Sequence, residues 1–278
     1  MTDTKRKDRR VVVSFSTIPS RVPYLARAFE QILKQTVQPD RIYLCLPRYS
    51  KKEQCEYPPV NVPPRVRVLH CEDYGPITKL APVLRVEKDP DTILLVMDDD
   101  MEYEANRFSQ LIEYSKDAPY AALSGDGWIV GNWWNYYGYV RNPPTLTAVS
   151  IIQGCSVCLY YRKFFTKDIL EYPKDPVIQR SAYINDDIWI SGYLAKKGIV
   201  RLVHPGFVKK EHPVGRINAI STSGLHMLAR ANPVIQYFRS LGVFTEEQVS
   251  VVFVGAIQCI LPLIILLSLI LALIFCLW

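Results

Sequence analysis

The uncharged stretch Thr92–Met97 runs straight into three consecutive aspartates, Asp98, Asp99 and Asp100. Such a continuous apolar run reads as a strand buried on both faces, as in a sheet covered by helices. Packing three carboxylates at its end costs energy, because each disfavours ionisation of the next. Two arrangements accommodate them: a solvated acidic turn at the rim of the sheet, or a site where a cation neutralises them.

The surrounding pattern says what kind of sheet this is. Val11–Phe15, Arg41–Leu46 and Arg65–His70 read as further strands. Tyr24–Gln35 carries Leu25, Ala28, Phe29, Ile32 and Leu33 at helical spacing, and Ile77–Val86 and Asn106–Asp117 also read as helices. The Pro- and charge-rich Tyr49–Pro64 reads as a surface loop. Strand and helix in alternation predict an α/β fold with a mostly parallel sheet and flanking helices, and ligands bind beyond the carboxyl ends of such strands. Further along, Leu146–Ile152, Ser156–Tyr161 and Val200–Val203 predict strands, and Ile188–Lys197 a helix capped by Gly198. Residues 11–247 suit one domain.

The two ends differ in composition from this middle. Residues 1–10 hold Lys5, Arg6, Lys7, Arg9 and Arg10 and predict a basic, disordered, solvated tail; contact with anionic lipid is the sharper alternative. From Val251 to Trp278 there is no charged side chain. That exceeds the roughly 20 residues a helix needs to cross about 30 Å of hydrocarbon, so 251–278 predicts a C-terminal transmembrane anchor. No apolar signal segment opens the chain, and all the Lys and Arg residues precede the span, which predicts a single-pass protein with a cytosolic domain. The formal net charge of +6 comes with no basic helix interleaved with aromatics, so nucleic acid is not expected as a partner. Cys155 and Cys158 lack the second ligand pair of a zinc site, and the strand pattern around them predicts buried structural cysteines.

The acidic motifs carry the chemistry. Hard carboxylate oxygens select Mg²⁺ or Mn²⁺, which keep coordination positions open for phosphate oxygens. Asp98-Asp99-Asp100 resembles the DxD motif of GT-A glycosyltransferases. The opening segment, with Phe15-Ser16-Thr17-Ile18-Pro19-Ser20-Arg21 and Gln35-Thr36-Val37-Gln38-Pro39-Asp40, is similar to the nucleotide-binding start of family-2-like members; Asp73-Tyr74-Gly75-Pro76-Ile77-Thr78-Lys79-Leu80 is similar to a segment of related bacterial transferases. The resemblance spans about residues 11–215. It implies that Thr17, Arg21, Asp73, Lys79 and Asp98 touch the donor nucleotide, and that Asp98 and Asp100 hold Mn²⁺ or Mg²⁺. His212 is implied as a further metal ligand, with His204 competing for that place.

A second acidic motif, Asn185-Asp186-Asp187, precedes the Ile188 helix. One Asp there is explained as a helix N-cap, but not both. In inverting GT-A enzymes an acidic pair at this place supplies the general base, so the resemblance implies Asp187 as base and Asp186 as its orienting or acceptor-binding neighbour. The aromatic stretch containing Trp128, Trp133, Trp134, Tyr136, Tyr137 and Tyr139 reads equally as an acceptor wall and as a structural loop. Gln153-Gly154-Cys155 loosely resembles the floor of the acceptor pocket.

The expectation is therefore a metal-dependent hexosyltransferase-type glycosyltransferase. It moves a sugar from a nucleotide-diphosphate sugar to a hydroxyl on a glycan, lipid or protein, at a membrane. Two rivals remain: a nucleotidyltransferase, and a non-catalytic tail-anchored nucleotide- or glycan-binding protein. The absence of GxGxxG and GxxxxGK[ST] argues against dehydrogenases and P-loop enzymes.

Overall fold

The computed structural model describes residues 9–130, 136–208, 210–211, 213–217 and 224–244. The chain is α/β. Its main sheet contains β1 (Val11–Ser16), β2 (Arg41–Pro47), β3 (Val66–Cys71), β4 (Ile93–Val96), β5 (Ala121–Ser124), β6 (Thr147–Ala148), β7 (Cys158–Tyr161) and β8 (Val200–Val203). Across the sheet the order is β6-β8-β5-β7-β4-β1-β2-β3. All strands but β6 and β7 run in one direction, so the sheet is mostly parallel, as the alternation predicts. Val12, Val13, Leu94 and Leu95 of the central strands are fully buried, the reason these strands read as unbroken apolar runs.

Helices α1 (Leu25–Leu33), α2 (Arg107–Asp117), α3 (Pro176–Ile184), α4 (Asp186–Lys196) and α5 (Gly224–Ser240) accompany the sheet. Phe29 of α1 meets Phe15 of β1 edge-on at 5.8 Å. Helix α3 opens as its sequence dictates: Pro176 stands where no N–H is needed, and Asp175 accepts from the backbone of Val177 and Ile178 at 2.8 and 3.0 Å. On α4, Gly192 leaves room for the ring of Phe238 from α5; a Cβ there would stand 2.3 Å from it.

Three expectations are corrected. The single helix expected over Ile77–Val86 is a tight turn, Gly75–Lys79, and a short helix, Val83–Val86, because Pro82 has no N–H to continue a helical ladder. Leu146–Ile152 is two strands with different partners: Thr147–Ala148 pairs in the main sheet, and Ile151–Ile152 joins Asp126–Val130 and Tyr136–Arg141 in a second, three-stranded sheet. Gly154–Ser156 is a turn that precedes β7, so Cys155 lies outside the strand while Cys158 is buried within it.

Arg9 and Arg10 are held to the fold. Arg9 donates to the Tyr161 hydroxyl at 2.7 Å, and Arg10 forks onto both Glu87 oxygens at 3.0 Å. Among the described residues no helix is long and apolar enough to cross a membrane; the expected anchor, 251–278, and residues 1–8 of the expected tail lie outside them.

Candidate active site

From β1 the chain steps outward to β2 and β3, then returns to β4 on the opposite side of β1. That reversal makes the carboxyl ends of β1 and β4 the switch point, where open α/β sheets bind ligands. Thr17 follows β1 and Asp98-Asp99-Asp100 follow β4. The antiparallel strand β7 pairs Cys158 with Val96, so its start, and the Gly154 turn before it, lie at the same rim.

Lys79 joins the two acidic motifs. Its turn is fastened to β1 by Ser14, whose hydroxyl donates to the Lys79 carbonyl. The buried ammonium donates to Asp98 Oδ1 at 2.7 Å and lies 3.0 Å from Asp186 Oδ2. The second contact is an ion pair without hydrogen-bond alignment, since Asp186 Oδ2 has no hydrogen-bond partner. Burial opposes the charge on Lys79, but Asp186, Asp98 and Asp187 together hold it firmly protonated.

Asp186 and Asp187 form the first turn of α4, and Asn185 precedes them. The expectation that one aspartate caps this helix is therefore corrected: neither does. Two carboxylates in a first turn are still favoured by the helix dipole. Asp187 Oδ1 accepts the Gly154 N–H at 3.0 Å. Burial, and then the neighbouring Asp186, push the Asp187 carboxyl up to about 8.

Across the rim, the Thr17 hydroxyl donates to Asp99 Oδ2 at 2.5 Å, and Arg21 Nη1 reaches Asp99 Oδ1 at 2.9 Å and Asp100 Oδ2 at 2.8 Å. Burial, then Asp98 and Asp99, raise the Asp100 carboxyl to about 6. Tyr103 ties the motif to the Gly154–Ser156 turn: its hydroxyl donates to the Cys155 carbonyl at 3.2 Å and lies 3.4 Å from the Asp98 backbone N–H. Tyr103 was not legible in the sequence, because nothing in its spacing marks it as more than core.

Asp98 and Asp100 keep 29% and 21% of their side-chain surface exposed, so both carboxylates reach the solvent side of the rim while Lys79 and Arg21 pair with them. This donor set fits a hard divalent cation at the rim. Among the described residues no three Asp, Glu, Cys or His side chains gather round one point, so such a cation would draw on Asp98 and Asp100 and complete its shell with phosphate or water. His212 lies outside the described residues; its neighbours Lys210–Glu211 pair with Met101–Glu102 beside the motif. His204 is not at the rim. It is buried, stacked on Tyr114 at 4.9 Å, with Nδ1 donating to the Pro205 carbonyl and Nε2 facing Arg107.

Asp73 stands apart from this cluster. Its oxygens accept from the backbone of Lys51 at 2.8 Å and Gly75 at 2.7 Å and from the Tyr183 hydroxyl at 3.2 Å. It braces the turn that delivers Lys79. Of the aromatic stretch, Trp128 packs on Tyr139 at 4.6 Å, and the Tyr139 hydroxyl donates to the fully buried Asp126. Trp133 and Trp134 lie outside the described residues.

No protein-family model matches this chain, and no curated protein matches it in sequence.

Proposed function

We propose that the chain is a metal-dependent glycosyltransferase of the GT-A type, using a nucleotide-diphosphate sugar and working with inversion. One observation carries this reading above the others: the buried Lys79 ammonium pairs with Asp98 of the first acidic motif and with Asp186 of the second. A donor-side and an acceptor-side carboxylate thereby share one cation at the switch point of the sheet. The sequence motifs and the strand order support the same conclusion independently.

In this mechanism Asp187 is the general base. Its elevated proton affinity suits it to accept a proton near neutral pH, and the Gly154 N–H fixes its orientation. As the acceptor oxygen bonds to the sugar carbon, its proton passes to Asp187, and the bond from that carbon to the diphosphate breaks. Lys79, at the end of the Gly75–Lys79 turn, supplies fixed positive charge for the diphosphate, and Asp186 holds Lys79 in place. Asp98 and Asp100 would hold Mn²⁺ or Mg²⁺, which when bound stabilises charge on the leaving diphosphate. The acceptor class remains glycan, lipid or protein. With 251–278 as a membrane anchor and the domain on the cytosolic side, a lipid or membrane-borne acceptor is within reach.

The test uses the full chain in detergent against a panel of nucleotide sugars, with Mn²⁺ or EDTA. Release of nucleotide diphosphate from one donor is expected. EDTA and Asp100→Ala should abolish it, and Asp187→Ala should leave donor binding while stopping turnover. Release of pyrophosphate instead would identify a nucleotidyltransferase. Binding without turnover under every condition, acceptor lipids included, would identify a binding protein.

A further inference from the structure

Arg21 lies in the turn Pro19–Tyr24, with its side chain 10% exposed. Besides its bonds to Asp99 and Asp100, its Nε donates to the Ile217 carbonyl and its Nη2 to the Gly215 carbonyl, both at 3.1 Å. One planar group thus holds the triple-aspartate motif with one nitrogen and the chain segment 213–217 with the other two. That segment lies against the motif: a Cβ built on Gly215 would stand 3.4 Å from Asp100 Oδ2, and Val214 is buried. The preceding residues, Lys210–Glu211, pair with Met101–Glu102 directly after the aspartates. Lys52 is within electrostatic reach of Arg21, Asp99 and Asp100 and adds to the positive charge around them.

Asp100 Oδ2 is 2.8 Å from Arg21 Nη1. A divalent cation on this carboxylate would be thrust against the guanidinium, and like charges at such a distance repel strongly in a partly buried site. We infer that Arg21 is a stand-in cation and a latch. Without metal it neutralises Asp99 and Asp100 and pins 213–217 over them. Metal bound at Asp100 drives the guanidinium off that carboxylate and loosens the segment. The inference rests on the metal-dependent reading above, and it makes Arg21 a positioning residue.

Arg216 is exposed within the latched segment, which gives a readout independent of activity. The full chain is titrated with Mn²⁺ while free Mn²⁺ is followed by electron paramagnetic resonance. Tryptic cleavage after Arg216 is timed in parallel. For the wild type, Mn²⁺ should speed that cleavage. Arg21→Gln should bind Mn²⁺ about tenfold more tightly, because a competing closed form no longer reduces the apparent affinity, and its Arg216 should be cut rapidly without metal. Arg21→Lys keeps the charge but lacks the fork that reaches both carbonyls. It should bind Mn²⁺ much as the wild type does, yet be cut rapidly from the start.

Wild-type protein that binds Mn²⁺ with no change at Arg216 would overturn the latch and leave the metal reading standing. Weaker Mn²⁺ binding by Arg21→Gln would show that the guanidinium assists the metal, and would overturn the competition. Failure of both the wild type and Arg21→Gln to bind Mn²⁺ would remove the metal reading, and the latch with it. Should the variants not fold, the wild-type titration alone decides the latch.

Discussion

The backbone N–H of Gly154 donates to Oδ1 of Asp187 at 3.0 Å, from a position that has no room for a side chain. A Cβ at residue 154 would stand 2.7 Å from Lys79 Nζ and 3.1 Å from Asp187 Oδ1. The ammonium is the end of a flexible side chain, so it would shift and the fold would survive. Gly154→Ala is therefore expected to lower kcat by about tenfold or more, since small displacements of reacting groups are costly. Its thermal unfolding midpoint should stay close to that of the wild type. A large fall in that midpoint with kcat intact would refute the steric account.

Lys79 is the buried cation between Asp98 and the buried Asp186, so removing it should cost more than a surface charge would. Lys79→Met leaves Asp186 buried beside Asp187 without its counter-ion, and about 3–5 kcal/mol of stability should be lost. Adding Asp186→Asn should restore part of the loss. Denaturant unfolding of the two single variants and the double variant closes the cycle; additive effects would mean that the pair is not coupled.

The raised carboxyl of Asp187 has a sign that can be tested. Its folded form holds a proton more tightly than the unfolded chain does. The stabilisation is full below the ordinary carboxylate range near pH 4 and is lost as pH rises towards about 8. Metal-free wild type should thus lose stability relative to Asp187→Asn across that interval. Under the proposed mechanism the rate should rise over the same interval, because the base must be ionised. Parallel stability curves for the two proteins would show that Asp187 is not perturbed.

His204 should behave in the opposite way. Burial, and then the Arg107 guanidinium, depress its imidazole to about 3. The stability it contributes is present above its unfolded value near 6.5 and falls away as the pH drops below that, by about 1.4 kcal/mol per pH unit for one proton. His204→Gln, which can still accept from Arg107, should flatten this limb in urea unfolding between pH 6.5 and 5. An unchanged limb would place the acid sensitivity elsewhere.

Particular residues show what could be read in advance. The run Leu94-Leu95-Val96-Met97 before three aspartates could describe little except a buried strand ending at a rim, and it does. The helix expected at Ile77–Val86 failed because its apolar spacing outweighed Pro82 in the reading, whereas in the fold the missing N–H decides. Lys79 was recognised as a candidate, but its partners were not. Its contacts with Asp98 and Asp186 depend on β4 returning beside β1 and on α4 docking later, and neither is encoded in local spacing. Asp126 stands between two glycines with nothing in its local spacing to mark it, yet it is fully buried. Only the pairing of Asp126–Val130 with Tyr136–Arg141 brings Tyr139 to it.

The place of β7 also governs how the chain comes off the ribosome. The aspartate-bearing strand β4 gains β1 as a neighbour at once, but its other flank is covered only by Cys158–Tyr161. Until that segment emerges, the growing chain carries an open, apolar sheet edge, the kind that templates association with other chains. Synthesis interrupted between residues 100 and 158 would leave a nascent product that holds the triple-aspartate motif and is in particular need of chaperones.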